Sequence, residues 1–118
     1  MKNNQGQGGR LSGLLGMARR GGRLTTGFDA VAALIAAGRD IMVLLAADLS
    51  EKTEKELRFA ARDRAYEIIR LPLGKEEIGR SLGFDKPVGV LALEDKGFAA
   101  TVRTLCRNEG DSKEETLC

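Results

Sequence analysis

The chain has 118 residues, of which 42% are hydrophobic and 31% are charged. That length is common for one domain with one hydrophobic core. No apolar stretch approaches the ~20 residues that cross a bilayer, and residues 1–9 lack the apolar segment of a signal peptide. We therefore expect a cytoplasmic protein with no membrane partner. It would have a disordered lead (residues 1–9), one α/β domain (residues 10–106) and a polar disordered tail (residues 107–118).

The side chains that most enzymes use for acid–base or metal chemistry are scarce. The sequence contains no histidine, which is the usual partner of a nucleophilic Ser or Cys. Its two cysteines, Cys106 and Cys118, are too far apart for a CxxC metal-binding pair. Because Cys118 ends the chain, where a disulfide would constrain little, we expect both thiols to be reduced. The composition predicts a protein that is not an enzyme, with no catalytic residues, metal or cofactor.

The net charge of +2 hides an uneven distribution of charge along the chain. Every charged residue before Gly27 is basic, whereas acidic residues predominate in the C-terminal tail. The basic residues are Lys2, Arg10, Arg19, Arg20 and Arg23. This asymmetry favours an anionic partner near the N-terminal part of the domain.

Hydrophobic spacing predicts the elements of the first half of the domain. An amphipathic helix ends at Gly21-Gly22, and a short strand at residues 23–26 leads to a second helix that stops at Gly38. The continuous apolar run at residues 41–47 is typical of a strand covered by helices on both faces, so we expect it at the centre of the sheet. The apolar stripe of the first helix consists of Leu11, Leu14, Leu15 and Ala18.

The second half continues the alternation of helices and strands. Ser50 is placed to cap a third helix. The resulting order, α-β-α-β-α-β-α-β-α, predicts a three-layer α-β-α sandwich around a four-stranded mixed sheet. The predicted segments are a helix at 51–63, a strand at 66–71, a helix at 75–81, a strand at 88–93 and a helix at 96–106.

Three glycine patterns resemble nucleic-acid or nucleotide motifs but have simpler interpretations. Gly13-Leu14-Leu15-Gly16 matches the GXXG of KH domains, yet its two leucines belong to a buried helical stripe. Arg20-Gly21-Gly22-Arg23 resembles an RGG element, yet one copy after a helix is a typical helix C-terminus. Gly74-Lys75 lacks the upstream glycine and the following Ser/Thr of a Walker loop.

The turn around Gly27 allows two interpretations. Its backbone N–H groups start a helix just after three arginines, and such helix starts bind anions. Alternatively, Thr26 and Asp29 are spaced as a capping box, in which the side chains would satisfy those N–H groups themselves. The residues alone do not choose between an anion site and a closed cap.

Several segments together resemble a known family. The resemblance covers about residues 11–105 and is to the ribosomal-protein family of kink-turn RNA binders, the L-seven-Ae type, in particular its small bacterial members. It implies the same α-β-α sandwich that the periodicity predicts. The segments are LLGMARRGGRL at 14–24, Thr26-Gly27 with the helix to Gly38, VLLAAD at 43–48, and EIGRSLG at 77–83.

In that family, RNA is bound by a helix with the pattern Gly-X-Asn-Glu-X-X-Lys and by the loop between the fourth helix and the last strand. In this chain the glycine is Gly27, while Asp29, Ala30 and Ala33 replace the three polar residues. An aspartate accepts hydrogen bonds but donates none, and alanine does neither. The departure predicts weaker recognition of kinked RNA.

The second part of the family's site corresponds to residues 84–88. Phe84 could stack on a base or could anchor the loop in the core, and both interpretations stay open. The resemblance implies a non-catalytic, ribosome-associated RNA-binding protein, with ribosomal RNA and ribosomal proteins as candidate partners. The alternative is a protein-interaction module on the same scaffold that has lost kink-turn specificity. We expect Arg20 and Arg23 at the same edge of the domain as the Gly27 turn and residues 84–88. The predicted RNA-binding residues are Arg20, Arg23, Thr26, Gly27, Phe28, Asp29, Phe84, Lys86, Pro87 and Val88.

Overall fold

The computed structural model describes the backbone of residues 2–117 and the side chains of residues 9–107. Its element order is the predicted one. The predicted disorder of residues 1–9 and 107–118 stays a prediction, although the first and last helices extend into these segments. The thiol state of Cys118, which lies outside the described residues, also stays a prediction. The elements are α1 (Lys2–Arg20), β1 (Leu24–Thr26), α2 (Phe28–Ala36), β2 (Met42–Leu45), α3 (Glu51–Ala60), β3 (Glu67–Arg70), α4 (Lys75–Ser81), β4 (Val90–Leu93) and α5 (Lys96–Leu117).

The four strands form one mixed sheet in the order β1-β4-β2-β3. β2 runs parallel to β3, with Met42 opposite Glu67, while β4 is antiparallel to both β1 and β2. β2 is therefore an interior strand, and all four of its residues are buried. This confirms the prediction that the apolar run at residues 41–47 lies at the centre of the sheet.

Helices cover both faces of the sheet and create two cores. On one face, α1, α4 and α5 pack against Leu44 and Leu91. On the other face, α2 and α3 pack against Val43 and Leu45. The alternation of side chains along β2 divides the cores, because successive residues of a strand point to opposite faces. The predicted three-layer sandwich is confirmed.

The end of α1 settles two of the glycine patterns. Gly22 has φ of 74°, and the Arg23 N–H donates to the carbonyl of Ala18 at 2.8 Å. This is a glycine-terminated helix C-terminus, as predicted for the RGG-like segment. Leu14 and Leu15 are buried in the core between α1, α4 and α5, so the GXXG-like segment serves packing, also as predicted.

The bounds of α2 and α3 follow the expected terminal signals. Gly38, with φ of 74°, ends α2, and the Arg39 N–H donates to the carbonyl of Leu34 at 3.0 Å. The Ser50 hydroxyl accepts from the Thr53 N–H at 3.2 Å and caps α3. Among the described residues, none of the helices is long and apolar enough to cross a membrane.

Candidate nucleic-acid interface

Gly27 makes the turn between β1 and α2. Its φ of 101° and ψ of 144° lie in a region that only glycine adopts without strain. Its N–H donates to the carbonyl of Val90 at 2.8 Å, and its own carbonyl accepts from the Val31 N–H at 3.0 Å. The turn is therefore fixed to β4 on one side and to the first turn of α2 on the other.

Of the two interpretations of this turn, the capping box between Thr26 and Asp29 does not form. Gly27 is the N-cap of α2, and no side chain caps this helix. Thr26 belongs to β1, where it pairs with Leu91, and the exposed Asp29 lies within the first helical turn. The first N–H groups of a helix have no intrahelical acceptor and carry the positive end of its dipole. The start of α2 therefore remains open to an anion.

The loop at residues 84–88 is held against α4 at both ends. The Phe84 N–H donates to the carbonyl of Gly79 at 2.9 Å, and the Val88 N–H donates to the carbonyl of Lys75 at 3.0 Å. Between these bonds, the Lys86 carbonyl lies so close to Gly79 that a Cβ there would be 2.1 Å from its oxygen. The glycine in α4 thus allows the loop to pack directly on the helix backbone.

The Gly27 turn and the 84–88 loop meet in one open cleft of ≈ 500 Å³. They meet because β4 follows the loop and its first residue, Val90, bonds to Gly27. The cleft thereby joins two segments that are far apart in the sequence. Its predicted members are Thr26, Gly27, Phe28, Phe84, Lys86, Pro87 and Val88, and the others are Leu49, Thr53, Lys75, Gly89 and Val90.

The position of Phe84 is compatible with both interpretations of this residue, as an anchor of the loop in the core and as a ring on which a base stacks. Its half-buried ring packs against the core formed by α1, α4 and α5 and also borders the cleft. The guanidinium of Arg19 stacks over the ring, with Cζ 4.5 Å from the ring centroid. Packing against the core and the attraction of the exposed guanidinium together favour one orientation of the ring. Phe84 is therefore a fixed aromatic surface at the edge of the cleft.

Arg19 belongs to the basic residues of the N-terminal part but was not among the predicted RNA-binding residues. It follows Leu15 by four positions and Leu11 by eight, so this exposed side chain lies in line with the buried stripe of α1, at the last turn of the helix. That periodicity was a usable signal. Lys75 was missed for a different reason, because its place beside the cleft depends on how the loop folds back over α4.

The remaining predicted residues do not line the cleft. The Glu94 N–H donates to the carbonyl of Arg23 at 2.9 Å, and the Arg23 guanidinium lies 3.9 Å from the Asp95 carboxylate. Arg23 is thus at the end of β1 opposite Gly27, and the prediction that it shares the same edge is wrong. Arg20 is exposed and approaches Gly16 on α1, with its guanidinium 3.5 Å from where a Cβ would stand.

The chemistry of the cleft is that of a binder of anions and flat rings. Lys75 and Lys86 supply cations, Phe84 supplies a ring, and the start of α2 supplies backbone N–H groups. The nearby Asp48 carboxylate accepts from the Lys75 N–H at 2.9 Å and so caps α4. Within the described part of the chain, no group of three or more His, Cys, Asp or Glu side chains is arranged to hold a metal ion.

Comparisons with known proteins agree on one family and one fold. The model of the ribosomal protein L7Ae/L30e/S12e/Gadd45 family matches residues 10–103. The chain is 33% identical over 103 residues to the RNA-binding protein YlxQ of Enterococcus faecium, covering 86% of this chain and 96% of that protein.

Solved structures share the architecture. A protein of unknown function from Bacillus halodurans superposes with a TM-score of 0.70 at 26% identity, covering 80% of this chain and 93% of the other. A 15.5kD RNA binding protein of Giardia lamblia superposes with a TM-score of 0.61 at 19% identity, covering 80% of each chain. The second similarity supports the fold alone.

Proposed function

Because the chain belongs to the ribosomal protein L7Ae/L30e/S12e/Gadd45 family, we propose that it is a non-catalytic protein that binds structured RNA. The proposal extends to a cytoplasmic, ribosome-associated role with ribosomal RNA as the partner. The name of the E. faecium relative, an RNA-binding protein, supports it. The observation that carries the proposal is the cleft that joins the Gly27 turn to the 84–88 loop.

Each side of the cleft has a role in RNA binding under this proposal. The open N–H groups at the start of α2 receive a phosphate, which the helix dipole favours. Lys75 and Lys86 neutralise neighbouring phosphates. Phe84, held by Arg19, offers its ring to an unpaired base, because every base has a face that stacks on aromatic side chains.

The exposed face of α2 limits how well the protein distinguishes one RNA from another. Asp29, Ala30 and Ala33 are all exposed on this helix. They donate no side-chain hydrogen bond to a base edge, and the Asp29 carboxylate repels phosphate. The protein therefore recognises RNA mainly by shape and backbone, and its preference for kinked over regular duplex is modest.

The replacement Lys86→Gln is expected to weaken RNA binding and its dependence on salt. Removing one cation from the cleft should reduce the slope of log K against log salt by ~0.7–0.9, the value for one neutralised phosphate. Filter binding to a kink-turn RNA and to a matched unkinked duplex, repeated over a range of salt concentrations, measures this effect. Arg23→Gln is the matched control, because Arg23 lies beside Asp95 at the other end of β1.

Two outcomes would contradict the proposal. If the unaltered protein shows no salt-dependent binding to either RNA, RNA binding is not its function. If Lys86→Gln and Arg23→Gln change the slope equally, the cleft is not the contact surface. In the first case, a partner protein retained after nuclease treatment would favour the alternative, a protein-interaction module that uses the exposed face of Asp29, Ala30 and Ala33.

A further inference from the structure

The helix α3 carries an exposed aromatic ring on its outer side. Phe59 is 65% exposed, more than Met17, the other large hydrophobic side chain on the surface of the described residues. Leu57 and Ala61 are buried on the inner side of the helix. At 100° per residue, Lys52, Lys55 and Phe59 share the side of the helix opposite Leu57. Arg62 follows the end of the helix and stacks on Phe59, and we call Lys52, Lys55, Phe59 and Arg62 together the α3 outer face.

Phe59 and Arg62 form a flat, cationic pair. The Arg62 guanidinium stacks on the ring, with Cζ 3.9 Å from the centroid, and donates to the Phe59 carbonyl at 2.7 Å. The guanidinium is therefore held on one side of the ring, while most of the ring surface remains accessible. Aromatic rings and arginine planes are the surfaces on which unpaired bases stack.

The charge of the α3 outer face complements phosphate. Among the described residues, Lys52, Lys55 and Arg62 form no ion pair with a carboxylate. Of the acidic residues of α3, Glu54 is engaged by Arg58 and Arg70, while the exposed Glu51 and Glu56 lie on the flanks of the helix, outside the outer face. Phenylalanine and arginine are common at protein–protein interfaces, but lysine is depleted there. Unpaired lysines beside an exposed ring therefore favour a nucleic acid over a protein as the occupant.

The α3 outer face continues from the cleft. Thr53 lines the cleft, and Lys52 is its neighbour at the start of α3. Phe59 lies six residues beyond Thr53, which places it about 9 Å further along the helix axis and about 120° around the helix. A strand that leaves the cleft past Thr53 can therefore reach the ring without leaving the protein surface.

We propose that a single-stranded RNA segment leaving the cleft continues over the α3 outer face. An unpaired base stacks on Phe59 beside Arg62, and the phosphates contact Lys52 and Lys55. This inference rests on the proposed function, because it assumes that RNA occupies the cleft. It adds a second contact surface and a second class of ligand, unpaired RNA that flanks a structured element.

A pair of RNAs tests the inference. One is a blunt kink-turn hairpin, and the other is the same hairpin extended at either end by about ten single-stranded uridines. That length lies within the ~4–16 nucleotides that one single-strand binding groove covers. The unaltered protein should bind the extended hairpin more tightly. Phe59→Leu should lower affinity for the extended hairpin by about 5- to 150-fold, the range for one stacked base. Phe59→Tyr should restore it.

Charge variants supply the matched control. Lys52→Gln should reduce the salt slope for the extended hairpin by ~0.7, the value for one phosphate of a single strand. Lys96→Gln removes the same charge from the opposite end of the sheet, beside Asp95, and should leave the slope unchanged. Because Phe59 is exposed, the variants should keep the urea midpoint of the unaltered protein.

The possible failures are separable. If the blunt hairpin binds and the extension adds nothing at either end, the inference is overturned and the proposed function stands. Equal losses in Phe59→Leu and Phe59→Tyr would also overturn it, because stacking needs only the ring. If the unaltered protein binds neither RNA, both proposals fail.

Discussion

Replacing Gly79 with alanine is expected to displace the 84–88 loop and to weaken RNA binding. The new Cβ would stand 2.1 Å from the Lys86 carbonyl oxygen and 3.4 Å from Pro87 Cα. Both atoms belong to the backbone, so no side-chain rotation relieves the clash. Forcing a methyl group into a packed site costs about 1–3 kcal/mol of unfolding free energy. Urea denaturation followed by circular dichroism measures this loss.

The same variant should bind RNA less tightly while still folded, because displacement moves Phe84 and Lys86 away from the Gly27 turn. Losing one stacked base lowers affinity by about 5- to 150-fold. Gly13→Ala is the control, since Gly13 is an exposed helical glycine with no atom within 4 Å of a new Cβ. That change should stabilise the fold by about 0.5–1 kcal/mol and leave RNA affinity unaltered. A Gly79→Ala protein with unchanged stability and affinity would contradict the packing described above.

Restoring the family's polar residues on α2 is expected to raise affinity for kinked RNA. The triple change Asp29→Asn, Ala30→Glu and Ala33→Lys supplies donors and a cation on the exposed helix face beside Gly27. Each base contact of this kind is worth about 1–3 kcal/mol, so two of them predict a gain of roughly 10¹- to 10⁴-fold. Filter binding to a kink-turn RNA measures the gain.

The control for the triple variant separates base recognition from charge. Ala36→Lys adds a cation at the exposed C-terminal end of α2, away from the Gly27 turn. It should strengthen binding to kinked and unkinked RNA only slightly and equally. A triple variant that gains nothing, or that gains equally on the unkinked duplex, would mean that this helix face is not directed at RNA.

The architecture could be predicted from sequence because each element carries its own periodicity. The continuous apolar run of β2 requires helices on both faces of the sheet. The bounds of α4 at Lys75–Ser81 were also correct, since Gly83 follows as a clear stop signal. Packing by Leu14 and Leu15 followed from their helical spacing. These features depend on residues that are close together in the sequence, so they can be predicted without knowing the tertiary structure.

The errors at the site arise from long-range geometry. Thr26 matches a capping box in sequence, but pairing with Leu91 makes it part of β1 and leaves the cap to Gly27. Arg23 is close to Gly27 in sequence, but the two residues lie at opposite ends of β1, and an extended strand rises ~3.3 Å per residue. Local spacing cannot give the direction of a strand or its partner. The joining of residues 84–88 to the Gly27 turn likewise depends on β4 lying beside β1.

The most direct measurement of the central claim is ultraviolet crosslinking of the protein to RNA in cells, followed by mapping of nucleotide adducts on its peptides. RNA binding through the cleft predicts adducts on the peptides that contain Phe28 and Phe84, both of which line it. It would be contradicted by recovery of no RNA above an unirradiated control. Adducts confined to the opposite end of the sheet, around Arg39 and Arg103, would contradict it equally.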